Sequence, residues 1–282
     1  MVMQTESKNF LSGKELLDEQ VHIGEKKGIQ QYLIQSVLNG CIAGAFLALG
    51  AFAALVASHG ISDYGLAKLV NAVVFPAGLI LIVICGGELF TSNTLLIQAR
   101  LEKKITTKTY LLNLLIIYFT NAIGAISIAA LIFGAGIVYN DSNAIGGYVI
   151  HVAALKANYT FWQNICSGIM CNILVCCAAW GASAAKDVAG KILIIWFAIM
   201  VFIIGGYEHC VANMFYFSLA LFAQTAPSLL AASHLTPEML SDLNIAGVIH
   251  NLVPVTIGNI IGGALFIGTS YWIVYFRGYK QS

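Results

Sequence analysis

Long, almost uncharged apolar segments constrain this chain more than any other feature of its sequence. Hydrophobic residues make up 59% of the 282 positions and charged residues 10%, where soluble domains carry roughly a quarter charged residues. A helix needs about 20 apolar residues to cross the ~30 Å hydrocarbon core of a bilayer. We therefore expect an all-α integral membrane protein with six transmembrane helices in a lipid bilayer. The segments are Tyr32–Ser58, Leu69–Gln98, Tyr110–Val138, Phe161–Ala184, Ile192–Phe222 and Val248–Tyr275.

The positive charges alternate between the polar connections. Of the 14 lysines and arginines, only Lys68 and Lys156 fall on the side opposite to the two termini. The positive-inside rule therefore places both termini in the cytoplasm. The first 30 residues are polar and show no cleavable signal, so the first span is expected to direct insertion. A net charge of +1 gives no indication of nucleic acid binding, and no nucleic acid partner is expected.

The polar ends flank one membrane-spanning domain. Residues 1–30 are expected to form a cytoplasmic tail with a short amphipathic helix, which is either a plain surface helix or a gate. Residues 31–277 form the six-span domain, and residues 278–282 form a second cytoplasmic tail. All seven cysteines lie inside apolar segments with no C-x-x-C pair, so helix packing is the expected role. Neither a metal nor another cofactor is expected.

The second and fifth segments repeat one pattern. Each carries a glycine pair, then a glutamate (Glu88, Glu208), and an asparagine five residues further on (Asn93, Asn213). The third and sixth segments share the shorter pattern Asn-x-Ile-Gly, which begins at Asn121 and Asn259. An odd number of spans per unit makes the copies inverted in the membrane, as in many transporters. We expect an inverted three-plus-three repeat, with units at about 31–138 and 158–277.

The glycine pairs predict a broken helix in each unit. Non-helical backbone at membrane depth is tolerated only where it is buried in protein or lines a cavity. We expect Glu88 and Glu208 to accept hydrogen bonds from the freed backbone amides and to fix the breaks, with Asn93 and Asn213 in the same scaffold role. Asn172 and Asn259 either connect helices or line a pore.

His209 is the candidate site residue, because it is the one histidine deep inside a predicted span. A histidine that titrates near neutral pH can offer a proton or a positive field to a weak-acid anion. Thr91, at the other break, is placed to hydrogen-bond both the solute and His209. Lys156 precedes the fourth span and is expected to concentrate anions at the outer mouth.

Three motifs resemble signatures of the formate/nitrite transporter family. They are Gly86–Asn93, Gly168–Cys176 and the histidine-bearing element Gly206–Met214, in the family's order along the chain. The resemblance covers all six spans, and Leu89–Ser92 with Ile257–Gly263 is most similar to the formate branch. It implies a homopentamer of aquaporin-like protomers in the bacterial cytoplasmic membrane. Each protomer would conduct small monovalent anions or their conjugate acids, most of all formate.

The resemblance also implies residue roles. His209 and Thr91 would meet between two hydrophobic constrictions, Lys156 would correspond to the family's vestibule lysine, and Asn172 and Asn259 to its pore asparagines. The positions implied for the constrictions are Phe75, Leu79, Leu89, Phe90 and Phe202. An anion would be protonated or transiently neutralised near His209, because apolar surroundings reject a bare charge.

Five other functions were weighed as alternatives. Within the same family, hydrosulfide and nitrite channels have similar motifs. A neutral-solute channel of the aquaglyceroporin type is expected to carry Asn-Pro-Ala twice, and the sequence contains none. A cation transporter could use Glu88 and Glu208 as ligands. An enzyme is disfavoured, because the sequence lacks both H-E-x-x-H and G-x-S-x-G.

Overall fold

The computed structural model describes residues 9–28 and 33–277. Residues 1–8, 29–32 and 278–282 lie outside it. The boundary predicted after residue 30, the first segment's start at Tyr32, the C-terminal tail, and the charges of Lys8 and Lys280 therefore fall outside the described residues.

The described chain is helical, with one isolated β-bridge between Phe10 and Ala185. Two 3₁₀ turns, Thr94–Leu96 and Ile137–Tyr139, and a π-helical stretch, Ile261–Thr269, interrupt or join the α-helices. The α-helices are α1 (Lys14–Gly28), α2 (Leu33–Ser58), α3 (Tyr64–Val74), α4 (Ala77–Cys85), α5 (Phe90–Asn93), α6 (Ile97–Leu101), α7 (Thr107–Gly134), α8 (Ala144–Ala157), α9 (Phe161–Ala184), α10 (Val188–Ile204), α11 (Cys210–Ala223), α12 (Pro227–Ala232), α13 (Pro237–Leu240), α14 (Ile245–Ile260) and α15 (Ser270–Arg277).

Within residues 9–28 and 33–277, 5 helical stretches are long and apolar enough to cross a membrane. They are Leu33–Ser58, Tyr64–Cys85, Thr107–Gly134, Phe161–Ala184 and Ile245–Phe276. The segment predicted at Ile192–Phe222 is divided between α10 and α11, which are shorter apolar helices. At most half of each apolar window is buried inside the protein, so large apolar side chains cover its outer surface. Such a surface requires lipid or other protein around it.

The backbone leaves the helical conformation at both glycine pairs. Between α4 and α5 the chain is non-helical, and Gly86 has φ +95°. Between α10 and α11 the same occurs, and Gly206 has φ +67°. A side chain disfavours positive φ, which explains the glycine at each of these positions.

Glycines also let helices approach closely within each half. The most extensive helix contacts are α2 with α7 and α9 with α14. A Cβ atom on Gly44 of α2 would lie 2.0 Å from the carbonyl oxygen of Asn121, and one on Gly258 of α14 would lie 2.3 Å from that of Ile165. These contacts bring the two Asn-x-Ile-Gly patterns beside the interrupted segments.

Gly44→Ala is expected to destabilise the protein, because the new methyl group would overlap backbone that cannot rotate away. Overpacking of this kind costs about 1–3 kcal/mol. Thermal unfolding in detergent, followed by size-exclusion chromatography, should show a lower midpoint. Gly60→Ala is the matched control, because a Cβ at Gly60 meets nothing within 4 Å. Equal midpoints for the two variants would contradict the close approach of α2 and α7.

Candidate functional site

Two asparagines fix the interrupted backbone. The Asn259 side chain accepts a hydrogen bond from the Cys210 amide at 2.9 Å and donates to the carbonyl oxygens of Glu208 at 3.0 Å and Gly168 at 2.8 Å. Asn121 does the same in the other half. It accepts from the Phe90 amide at 2.8 Å and donates to the carbonyl oxygens of Glu88 and Gly40, each at 2.8 Å.

The asparagines, and not the glutamates, therefore bind the freed backbone groups at the two interruptions. Glu88 and Glu208 were expected to accept from freed backbone amides, and this expectation is wrong, because the first amide of each following helix donates to an asparagine instead. The repeated Asn-x-Ile-Gly pattern contained the signal for Asn121, which was not among the predicted site residues. Buried polar groups of the backbone need partners, and a side-chain amide supplies both a donor and an acceptor.

The glutamates instead accept from side chains. Glu208 is buried and receives Lys156 Nζ at 2.6 Å on one oxygen and Asn213 Nδ2 at 2.6 Å on the other. Asn213 Nδ2 also donates to Asn251 Oδ1 at 2.7 Å, and Asn251 donates to the Lys156 carbonyl at 3.0 Å. The Lys156 ammonium lies 5.3 Å from the centre of the Tyr216 ring. The charge of Lys156 is thus paired within a buried network.

The first half carries a corresponding network with a lysine from α1. Asn93 Nδ2 donates to Glu88 Oε2 at 2.9 Å and to Asn113 Oδ1 at 3.0 Å, and Lys27 Nζ donates to Asn93 Oδ1 at 2.8 Å. Burial lowers the pKa of Lys27, and the Glu88 charge opposes that shift. Lys27 had no predicted role beyond the charge count of the tail, because the periodicity of α1 does not show where that helix docks.

Thr91 and His209 meet between the two interruptions. Thr91 Oγ1 lies 3.0 Å from His209 Nε2, and both side chains are buried. His209 also caps α11, since its Nδ1 accepts the Ala212 amide at 3.2 Å. Because Nδ1 accepts, the proton of the neutral ring is on Nε2 and is donated to Thr91 Oγ1. The Thr91 hydroxyl hydrogen then remains available for a third group.

The backbone carbonyl group of Thr91 is fixed by three hydrogen-bond donors. Its carbonyl oxygen accepts the Thr94 hydroxyl at 2.6 Å, Asn172 Nδ2 at 3.2 Å and the Cys176 thiol at 3.5 Å. Asn172 also donates to the Asn259 carbonyl at 2.6 Å. Of the two roles left open for Asn172 and Asn259, connecting helices is the one that these contacts support.

Two cavities approach this pair. The first, called here the His209 cavity, has a volume of about 350 Å³ and is lined by Lys68, Lys156, Glu208 and His209, among others. The second, called here the α1 cavity, has a volume of about 280 Å³. Leu89 and Ser92 line it beside the first interruption, and the side chains of Lys27 and Lys191 line it as well.

The five predicted constriction residues are all buried, but they divide between different places. Phe75 and Phe202 line the His209 cavity, with ring centroids 5.7 Å apart, and the Phe202 ring lies 6.0 Å from that of His209. Leu89 lines the α1 cavity. Leu79 and Phe90 line neither cavity, and Phe90 packs edge-on against Tyr118 at 5.0 Å.

Comparison with known proteins assigns this architecture to a family. The family model described as formate/nitrite transporter matches residues 14–273. The formate channel FocA of Escherichia coli strain K12 is 35% identical over 240 residues, covering 83% of this chain and 84% of its own. FocA of Haemophilus influenzae is 37% identical over 239 residues, with 83% and 84% covered. A solved structure described as a pentameric formate channel with formate bound superposes with a TM-score of 0.79 at 32% identity, covering 88% of this chain and 99% of that one. The chain therefore belongs to the formate/nitrite transporter family.

Proposed function

We propose that this protein is a membrane channel for small monovalent anions and their conjugate weak acids, with formate as the main solute. The observation that carries this proposal is the buried Thr91–His209 pair, whose histidine lines a cavity that also has lysine and phenylalanine side chains in its wall. Cationic side chains favour an anion in the cavity, and the apolar rings of Phe75 and Phe202 disfavour the passage of a bare charge. The identity to formate channels supports formate as the solute.

A carboxylate loses hydration as it passes Phe75 and Phe202. Desolvation raises the pKa of a carboxyl group, so protonation lowers the cost of this step. Formate therefore passes the phenylalanines as formic acid or as a closely hydrogen-bonded ion.

The Thr91 hydroxyl is the donor that meets the solute. His209 Nε2 donates to Thr91 Oγ1, which leaves the hydroxyl hydrogen directed to another acceptor. A second proton on the ring would occupy Nδ1, break the bond from the Ala212 amide and place a positive charge at the N-terminus of α11. His209 therefore acts as a neutral group that orients Thr91, in place of the charged histidine considered from the sequence.

Thr91→Val tests this assignment, because valine keeps the shape and removes the hydroxyl. Losing one hydrogen bond to a charged or strongly polar solute costs about 1.5–3 kcal/mol, so formate uptake into proteoliposomes should fall roughly ten- to a hundredfold. Thr91→Ser keeps the hydroxyl and should retain most of the flux. Uptake of formate, nitrite, hydrosulfide and glycerol would be recorded between about pH 5 and pH 8, with His209→Ala in parallel.

The outcomes distinguish the anion-channel function from the role assigned to Thr91. Flux of glycerol without any anion would overturn the anion function. Rapid formate flux that Thr91→Val leaves unchanged would keep the channel and reject the role of Thr91.

The finer architecture belongs to the same proposal. The spans comprise six segments, of which the second and fifth are broken helices, and the two halves form an inverted repeat. Corresponding asparagine and glutamate networks in the two halves support the repeat. Both termini lie in the cytoplasm of a bacterial cell, and the protomers assemble as a homopentamer in the cytoplasmic membrane. The pentameric formate channel with which the chain superposes supports that assembly.

A further inference from the structure

His209 is not free to exchange a proton with a solute. Its Nδ1 accepts the Ala212 amide at 3.2 Å, and its Nε2 donates to Thr91 Oγ1 at 3.0 Å. A second proton on the ring would have to occupy Nδ1, which already serves as the cap of α11. If an anion takes up a proton in the His209 cavity, the proton therefore comes from a different group.

A second histidine, His151, lines the same cavity. It lies on α8, and its side chain is partly exposed. Within residues 9–28 and 33–277, no hydrogen bond, ion pair or ring contact involves the His151 side chain. Its ring nitrogens are thus available to water and to a solute. Because His151 falls between two predicted spans, its position in the sequence did not indicate this placement.

His151 belongs to the face of α8 that is turned to the cavity. Tyr148, His151, Val152 and Leu155 all line the cavity, at the spacings of three and four residues that place side chains on one face of a helix. The cavity volume of about 350 Å³ accommodates formate together with water molecules, each of which occupies about 30 Å³. Water can therefore connect the imidazole ring to a solute in the cavity.

The other titratable groups that line the cavity are bonded to each other or keep one charge state. Lys156 and Glu208 form an ion pair at 2.6 Å, and the remaining ammonium group is that of Lys68 on α3. Ammonium and phenol groups ordinarily titrate above the range of about pH 5 to 8 in which imidazole groups titrate. The phenols that line the cavity are Tyr64, Tyr148, Tyr159, Tyr207 and Tyr216.

The remaining elements packed against α8 add no titratable group to the cavity. α12 contains none, and Tyr139 of the second 3₁₀ turn, Glu238 of α13 and His250 of α14 are not among the residues that line it. His59, at the end of α2, is bonded to Asp141 at 2.9 Å and does not line the cavity either. Among the residues that the structure describes, the imidazole of His151 is thus the unbonded cavity group of a type that titrates in this range.

We propose that His151 is the proton donor of the His209 cavity, which converts a weak-acid anion such as formate into its neutral acid before it passes Phe75 and Phe202. This inference rests on the proposed anion function. An N–H bond of the imidazolium breaks and an O–H bond forms on the carboxylate, so a cation and an anion become two neutral groups. The ring then takes its next proton from water. The neutral acid avoids most of the desolvation cost that a bare charge has at the two phenylalanines.

The test is exchange of isotopically labelled formate across proteoliposome membranes at equal pH on both sides, with the flux through protein-free liposomes subtracted. Wild-type flux should be constant at the acidic end of the range from about pH 5 to 8, and should fall as the ring loses its proton. In His151→Gln, the flux at about pH 6 should be roughly a hundredfold lower, which is the low end of what a positioned proton donor contributes. It should also rise with acidity over the whole range, because formic acid formed in solution then limits it.

His234→Gln is the matched control, because His234 is exposed, follows α12 and lines neither cavity. Its flux should equal that of wild type at every pH, and His151→Asn should reproduce the profile of His151→Gln. A wild-type profile in the two His151 variants would overturn the inference. Lower flux that keeps the constant region at acidic pH would also overturn it, because it would indicate a structural role. If wild-type protein carries no formate at all, the proposed function fails instead.

Discussion

Glu208→Ala is expected to destabilise the protein by about 3–5 kcal/mol, because it leaves Lys156 charged and without its partner in a buried site. Glu208 is 1% exposed and accepts from both Lys156 and Asn213. Its loss also removes the acceptor that holds Asn213 beside the second interruption. The measurement is the thermal midpoint of detergent-solubilised protein, together with the yield of folded protein in the membrane.

The double variant Lys156→Met/Glu208→Met distinguishes a paired charge from simple loss of packing. Removing both charges should cost less than the sum of the single changes, since neither ion then remains buried alone. Asp18→Ala is the matched control, because the Lys14–Asp18 pair is exposed and is expected to contribute less than about 1 kcal/mol. Additive single and double effects would show that the two charges do not stabilise each other.

Asn259→Leu is the second change with a large expected effect. It leaves the Cys210 amide and the carbonyl oxygens of Glu208 and Gly168 without their side-chain partner. Each buried group left unsatisfied costs about 1–3 kcal/mol, so the sum is expected to exceed about 3 kcal/mol. Hydrogen exchange at the start of α11 should become faster, and formate flux should fall because His209 loses its fixed position.

Asn121→Leu provides the comparison in the other half. It should produce a similar loss of stability, with faster exchange at the Phe90 amide instead of the Cys210 amide. Asn140→Ala is the neutral control, because Asn140 is an exposed loop residue between α7 and α8. Unchanged exchange at both amides in the leucine variants would contradict the role assigned to the asparagines.

Several features of the fold follow from local patterns in the sequence. Apolar length located four of the long helical stretches to within a few residues, with Phe161–Ala184 matched at both ends. The segment predicted at Leu69–Gln98 was located less well, because its long helical stretch is Tyr64–Cys85. The glycine pairs marked the two places where the backbone leaves the helix. They could be recognised because positive φ restricts the choice of residue at one position.

Which partner each polar group chooses could not be predicted in the same way. The glutamates and asparagines were recognised as a set, but Asn259 and Asn121 bind the interrupted backbone, and Glu208 binds Lys156. The partners are far apart along the chain. Lys156 and Glu208 are separated by 52 residues, and Thr91 and His209 by 118. Periodicity carries no information about such distances.

The sequence by itself determined that the chain is helical, apolar over membrane-spanning lengths, broken at two glycine pairs and similar to formate/nitrite transporters. Only the tertiary structure decided that His209 Nδ1 accepts the Ala212 amide at the start of α11, that Lys156 pairs with Glu208, and that Lys27 of α1 binds Asn93. The physical reason is range. Burial length and backbone conformation are properties of neighbouring residues, whereas the charge state and orientation of a side chain depend on groups that only folding brings within hydrogen-bonding distance.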